Sequence, residues 1–144
     1  MLRSTTLKAT ALTLAVLGSI TTAVHVQAET KDSGKGAAQL LVLKDNMTIS
    51  DCEARGIGDN VLFIYSRYCP HCKTAMPIVE GIVTEQKTGS RYLPIDVTTE
   101  EGRALMKGYG ITVQYVPTLV KGCIAHVGSK KKAEYEKILS AKSK

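Results

Sequence analysis

Tyr65-Ser66-Arg67-Tyr68-Cys69-Pro70-His71-Cys72-Lys73 places two cysteines three positions apart, just beyond the apolar run Val61 to Ile64. The run has the length of a strand buried on both faces, and the residues after it have helical spacing. The pair therefore falls where a strand hands over to a helix. A first cysteine at a helix N-terminus meets free backbone N–H groups and the positive end of the helix dipole, both of which favour its thiolate. A second cysteine one turn on can close a disulfide with it. This is the layout of a thiol–disulfide redox site, with Cys69 the expected nucleophile and Cys72 the expected resolving thiol.

The same spacing has other uses. A c-type haem attachment site needs His directly after the second cysteine, where this chain has Lys73, so haem is excluded. A structural zinc site wants four Cys or His ligands, as a rule in two similarly spaced pairs, whereas Cys52 and Cys123 are single and far from the motif. A purely structural disulfide across the short loop, and a soft-metal site built from Cys69, His71 and Cys72, stay as alternatives. The first reading needs no metal and no cofactor.

The flanking elements can be read in order. Leu40 to Leu43 is an additional strand candidate, Thr48 to Arg55 a short helix, and Val61 to Tyr65 the central strand. Pro70 suits a first helical turn, and Met76, Ile78, Val79, Ile82 and Val83 supply an apolar stripe in a helix that Pro77 is expected to kink. Tyr92 to Val97 is a further strand, and Thr99-Glu100-Glu101 opens a short helix that stops at Gly108. Thr118 to Val120 and Ile124 to Val127, separated by Lys121-Gly122-Cys123, form a hairpin. Lys130 to Lys142 is an amphipathic helix with Tyr135, Ile138 and Leu139 inward. The resulting order, β-α-β-α-β-α-β-β-α, belongs to an α/β domain with a mixed sheet covered by helices on both faces.

On these residues the chain resembles the thioredoxin superfamily from Leu40 to Leu139. Pro77 stands five residues after Cys72, as in the superfamily, and Lys73 follows the motif directly. Tyr109-Gly110-Ile111 and then Val116-Pro117-Thr118 look like the segment leading to its cis-proline, and Lys121-Gly122 with His126-Val127-Gly128 look like its terminal hairpin. The resemblance implies that Pro117 is cis, that its loop faces the cysteine pair, and that Val116 and Pro117 offer backbone to an extended substrate segment. Pro70-His71 and Val116 resemble the DsbA-type oxidases. His71 is then expected to tune the site by offering a hydrogen bond or positive charge to the Cys69 thiolate, which stabilises the reduced form and makes the disulfide more oxidising. Potentials in the superfamily run from about −270 mV in thioredoxin to about −120 mV in DsbA.

The chain also departs from both patterns. No segment is long enough for the helical insertion of DsbA-type proteins, and Tyr68 and Phe63 stand where thioredoxins carry a Trp and a buried Asp. The carboxylate that would move the Cys72 proton is absent from its usual place, so water or a group elsewhere must act. The implied activity is dithiol–disulfide exchange on cysteine-containing exported proteins, first as an oxidase. A reductase serving cytochrome maturation or a redox relay is second, and a non-enzymatic metal-binding protein third. Either enzyme needs a redox partner to reset the site, and a membrane protein is one candidate.

Arg3 and Lys8, the apolar run Ala9 to Val24 and the small-residue pattern Val26-Gln27-Ala28 read as a cleaved secretory signal over residues 1–28. A flexible lead-in over 29–39 and a domain over 40–144 follow. Periplasmic or secreted localisation is expected, with an uncleaved N-terminal anchor as the alternative. Of 144 residues, 19 are Lys or Arg and 13 Asp or Glu, a formal charge of +6 that is spread out apart from Lys130-Lys131-Lys132. That run reads as a solvated helix face, and nucleic-acid binding is not expected. In an oxidising compartment unpaired thiols are uncommon, so if Cys69 pairs with Cys72, Cys52 and Cys123 are a possible structural disulfide, whose bridging distance the sequence leaves open. His126 reads as a surface or sheet-edge strand residue, His25 as part of the signal, Asp96 as a turn and cap residue, and Met47, Met76 and Met106 as packing side chains.

Overall fold

A computed structural model describes residues 40–86 and 89–141. The expected signal segment, the lead-in and Lys142, the last residue of the expected C-terminal helix, lie outside the described residues. The elements are β1 (Leu41–Leu43), β2 (Met47–Thr48), β3 (Val61–Tyr65), α1 (Pro70–Gln86), β4 (Tyr92–Asp96), α2 (Glu100–Gly108), β5 (Ile111–Val113), β6 (Thr118–Lys121), β7 (Ile124–Val127) and α3 (Lys132–Ser140). Five strands make a mixed sheet in the order β2-β7-β6-β3-β4, and β1 pairs with β5 as a separate parallel ribbon.

β3 is parallel to β4 and antiparallel to β6, and its residues Val61 to Ile64 are buried, as expected of a near-continuous apolar run. It is an interior strand, although the middle place belongs to β6. Side chains alternate across it. Leu62 and Ile64 join Ile95, Met106 of α2 and Ile111 on one face, while Val61 and Phe63 join Ala75, Val79 and Ile82 of α1 and Tyr135 and Leu139 of α3 on the other. The α/β architecture with helices on both faces is thus as read from the sequence. Each fully buried Phe, Ile or Leu contributes about 1.5–3 kcal/mol relative to exposure. β4 is an edge strand, so Pro94, which has no N–H to offer, costs no ladder bond on its open side.

The helix expected over Thr48 to Arg55 is not formed. Met47 and Thr48 pair instead with Ala125 and Ile124 of β7, and the chain then turns, with Asp51 at φ 53° and Gly56 at φ 74°. A left-handed residue at 51 stops helical propagation, and the turns are closed locally by Arg55 N–H to Asp51 O and Gly56 N–H to Glu53 O, both at 2.9 Å. Their purpose in the fold is to bury Ile49, Cys52 and Ile57 against the α2 face of the sheet. Two further strands, β2 and β5, were not expected as such. α1 runs through Pro77 as one helix of 17 residues.

α2 begins as predicted. Thr99 is the N-cap, its Oγ1 accepting from Gly102 N–H at 3.0 Å, and Glu100 and Glu101 occupy the first turn, where the helix dipole favours negative charge. Gly102 is required by proximity: a Cβ there would fall on the carbonyl oxygen of Asp96. The end of β4 and the first turn of α2 are therefore pressed together.

Candidate active site

Cys69 is the N-cap residue of α1. Its carbonyl accepts the first helical bond from Lys73 N–H at 3.2 Å, and its Sγ accepts from Cys72 N–H, also at 3.2 Å, the place where a capping Ser or Asp would put an oxygen. Pro70 follows as the first helical residue, where its missing N–H is not needed. The loop into the helix is held by Cys69 N–H to Ser66 O at 3.0 Å and Tyr68 N–H to Ser66 Oγ at 3.2 Å. Both Cys69 and Cys72 are free thiols, yet their surroundings differ: Cys69 is partly exposed and Cys72 is 1% exposed. Burial, above all, pushes the Cys72 thiol up to about 11. Its hydrogen bond to Cys69 and the charges of Cys69 and Asp96 add to the rise, and a backbone hydrogen bond from Ser66 opposes it.

The second wall of the site is the loop before β6. The Val116–Pro117 peptide bond is cis, as the resemblance implied for Pro117, and the Cys69 thiol donates to the Val116 carbonyl at 3.7 Å. Thr118, fully buried, ties this loop down by donating from Oγ1 to Tyr115 O at 2.8 Å. Tyr68 and Tyr115, 76% and 70% exposed, each stand one residue ahead of Cys69 and Val116. Cys69, Cys72, Val116 and Pro117 are thereby brought together. Pro70 and His71 lie beside them on the solvent side, but His71 makes no hydrogen bond to Cys69 among the described contacts. The hydrogen bond that Cys69 Sγ accepts comes from the backbone N–H of Cys72.

A third group borders the site, an ion pair that the sequence does not announce. Arg67 Nε donates to Asp96 Oδ2 at 2.7 Å, and Asp96 Oδ1 accepts from Thr98 N–H at 2.9 Å and Thr98 Oγ1 at 2.7 Å. Burial alone would raise the Asp96 carboxyl; the Thr98 and Arg67 hydrogen bonds and the Arg67 charge outweigh it and bring it down to about 2. The turn role expected for Asp96 is present, and the ion pair is added to it. No sequence signal links two residues 29 positions apart; only the parallel register that sets Tyr65 opposite Asp96 does so.

Cys52 and Cys123 lie elsewhere and are bonded, with Cα atoms 5.6 Å apart. His126 is a half-buried strand residue of β7, and burial lowers its pKa, with Asp45 and Lys130 acting on it in opposite senses. Among the described residues no group of three or more His, Cys, Asp or Glu is placed to hold a metal ion, and no helix is long and apolar enough to cross a membrane. Comparison with known proteins found no matching protein-family model and no matching curated protein.

Proposed function

We propose that the chain is an exported thiol–disulfide oxidoreductase of the thioredoxin superfamily, working as an oxidase on cysteines of other exported proteins. The observation that carries this reading is the asymmetry of the pair: one sulfur reachable from solvent beside a cis-proline loop, the other sealed and held as a thiol three residues on. In the oxidised enzyme a substrate thiolate attacks Cys69 Sγ, the Cys69–Cys72 bond breaks, and Cys72 leaves and takes up a proton. A second substrate thiolate then attacks the substrate sulfur of the mixed disulfide and expels Cys69. Two substrate thiols are oxidised, the pair is reduced, and a redox partner must withdraw the two electrons. Val116 offers backbone beside the reacting sulfur, which suits strand-like pairing with an extended substrate.

The second direction uses the same pair: a reductase in which Cys69 attacks a substrate disulfide and Cys72 resolves the mixed disulfide. The reduction potential of the pair, equilibrated against glutathione and read by alkylation and mass mapping of Cys69 and Cys72, separates the two. A value near or above about −150 mV supports the oxidase, and one near about −270 mV replaces it with the reductase.

A further inference from the structure

We propose that Asp45 is a positioning residue for the exchange site: its carboxylate takes the place of a backbone rung at the end of β7 and, through the bond from Gly128 to Pro117, holds the Val116 carbonyl at the Cys69 sulfur. The inference deepens the exchange reading of the Cys69–Cys72 site and rests on it. β2 and β7 run antiparallel with Met47 opposite Ala125 and Thr48 opposite Ile124, and Ile49 N–H donates to Cys123 O at 2.8 Å. The same register, carried to the other end of β7, sets residue 45 opposite Val127. The backbone does not follow it, because Asn46 takes a left-handed φ of 55° and Met47 N–H turns back to Lys44 O at 3.2 Å. Val127 N–H still finds its acceptor in residue 45, on the side chain: it donates to Asp45 Oδ1 at 2.8 Å.

Successive N–H groups of a strand point to opposite neighbours, so Gly128 N–H, one residue on, faces β6 and donates to Pro117 O at 2.8 Å. Two residues opposed in this way ordinarily exchange two bonds, but Pro117 has no N–H to return. On its other side β6 is paired with β3 only as far as Thr118 opposite Ile64. Among the described contacts, the single bond from Gly128 is therefore what ties Pro117 to the sheet, and the end of β7 that supplies it is held from outside by Asp45.

Asp45 is itself anchored. Lys130 Nζ donates to Oδ1 at 3.2 Å and lies 3.3 Å from Oδ2, and Asn46 Nδ2 donates to Oδ2 at 3.2 Å. Burial alone would raise its carboxyl; the Val127 bond and Lys130 outweigh it, so the group is an anion near neutrality. An ionised acceptor makes a stronger bond to an N–H than the backbone carbonyl it replaces. What this bracing serves is the acceptor that an extended substrate meets. Val116 precedes Pro117, and its carbonyl stands 3.7 Å from the Cys69 sulfur. Slack in that peptide weakens strand-like pairing with substrate and leaves the sulfur chemistry of Cys69 and Cys72 unchanged. Asp45 touches neither the substrate segment nor the reacting sulfurs.

The test follows oxidation of a dithiol peptide by the full-length chain, with glutathione disulfide resetting the site. Asp45→Ala is expected to raise KM about two- to fivefold, within the range that a remote coupling residue moves, with kcat close to the parent value. Asp45→Asn, whose amide oxygen still accepts from Val127, and Lys130→Gln, which leaves the rung in place, should both stay near the parent. An unchanged KM in Asp45→Ala, a fall in kcat alone, or an equal rise of KM in Lys130→Gln overturns the proposal. A second readout needs no activity: amide hydrogen exchange followed by NMR. In Asp45→Ala, protection should fall at Gly128 as well as at Val127, while the Phe63 amide in β3 keeps the parent rate. Loss confined to Val127, or loss shared equally by Phe63, overturns the proposal. An inactive parent would count against the proposed function and leave the amide readout to decide the role of Asp45.

Discussion

The Cys69 thiol and the Val116 carbonyl oxygen face each other across 3.7 Å, although 47 residues separate them in the chain. The same sulfur accepts from the backbone N–H of Cys72 at 3.2 Å, so it is held from two sides, by the start of α1 and by the cis-proline loop. A substrate strand pairing with Val116 would engage the same carbonyl and free the sulfur from it.

The unequal exposure of the two sulfurs gives them separable roles. With a cysteine-containing peptide, Cys69→Ser is expected to abolish exchange, and Cys72→Ser to accumulate a mixed disulfide on Cys69 that survives non-reducing electrophoresis and is located by peptide mass mapping. Trapping through Cys72 in the Cys69→Ser variant would sink the assignment.

The raised Cys72 thiol gives a pH signature in the reduced wild-type chain. Alkylation near neutral pH should fall on Cys69 alone, with Cys72 joining only as pH approaches about 11. For stability the sign follows from the same rise. A thiol with folded pKa above its unfolded value contributes fully below the unfolded value, ordinarily 9.0, and the contribution is lost as pH climbs from there through about 11. Parent and Cys72→Ala chains compared by urea unfolding should lose stability unequally in that window, the parent more steeply.

Asp96 predicts the opposite limb. Its folded pKa of about 2 lies below the ordinary 3.8, so its contribution is complete above the unfolded value and disappears as pH falls through about 2. Asp96→Asn should be less stable than the parent near neutrality, and the gap in urea midpoints should close between about pH 4 and 2. A gap independent of pH would mean that the side chain matters for its shape and not for its charge.

The sequence made the core of this site legible because strand, N-cap cysteine and helical stripe lie within one contiguous stretch, where spacing alone places Cys69 and Cys72. α2 was legible for the same local reason, its Thr99 cap standing just ahead of the acidic first turn. The turns after Thr48 were not, because Ile49, Cys52 and Arg55 have spacings that suit a short helix, and only the left-handed backbone at Asp51 and the pairing of β2 with β7 exclude it. Arg67–Asp96 was hidden because it depends on strand register, a long-range property.

Gly102 tests how tightly β4 and α2 are joined beside the site. Gly102→Ala gains helix propensity, up to about 1 kcal/mol at an exposed site, but here the methyl group falls on the Asp96 carbonyl oxygen and must drive the helix away. The substitution should lower the thermal midpoint instead of raising it.

The Cys52–Cys123 bond closes a loop spanning 71 positions and holds the tip of the β6–β7 hairpin, where Gly122 and Cys123 both adopt positive φ, 57° and 65°, as a two-residue type I′ turn requires. Ile49 N–H also donates to Cys123 O at 2.8 Å, so the tip is fixed by three devices: the disulfide, this bond and the β2–β7 ladder. Removing the bond with Cys52→Ala and Cys123→Ala should cost about 2–4 kcal/mol in urea unfolding. The left-handed backbone at 123 strains Ala as it strains Cys, by roughly 1–2 kcal/mol, and glycine relieves it. Cys52→Ala with Cys123→Gly should therefore be the more stable of the two disulfide-free chains, by about 1 kcal/mol. The tip lies at the far end of β6 from Pro117, so both chains should keep the reduction potential of the Cys69–Cys72 pair. A shift in that potential would show that the hairpin transmits strain along β6 to the Val116 loop.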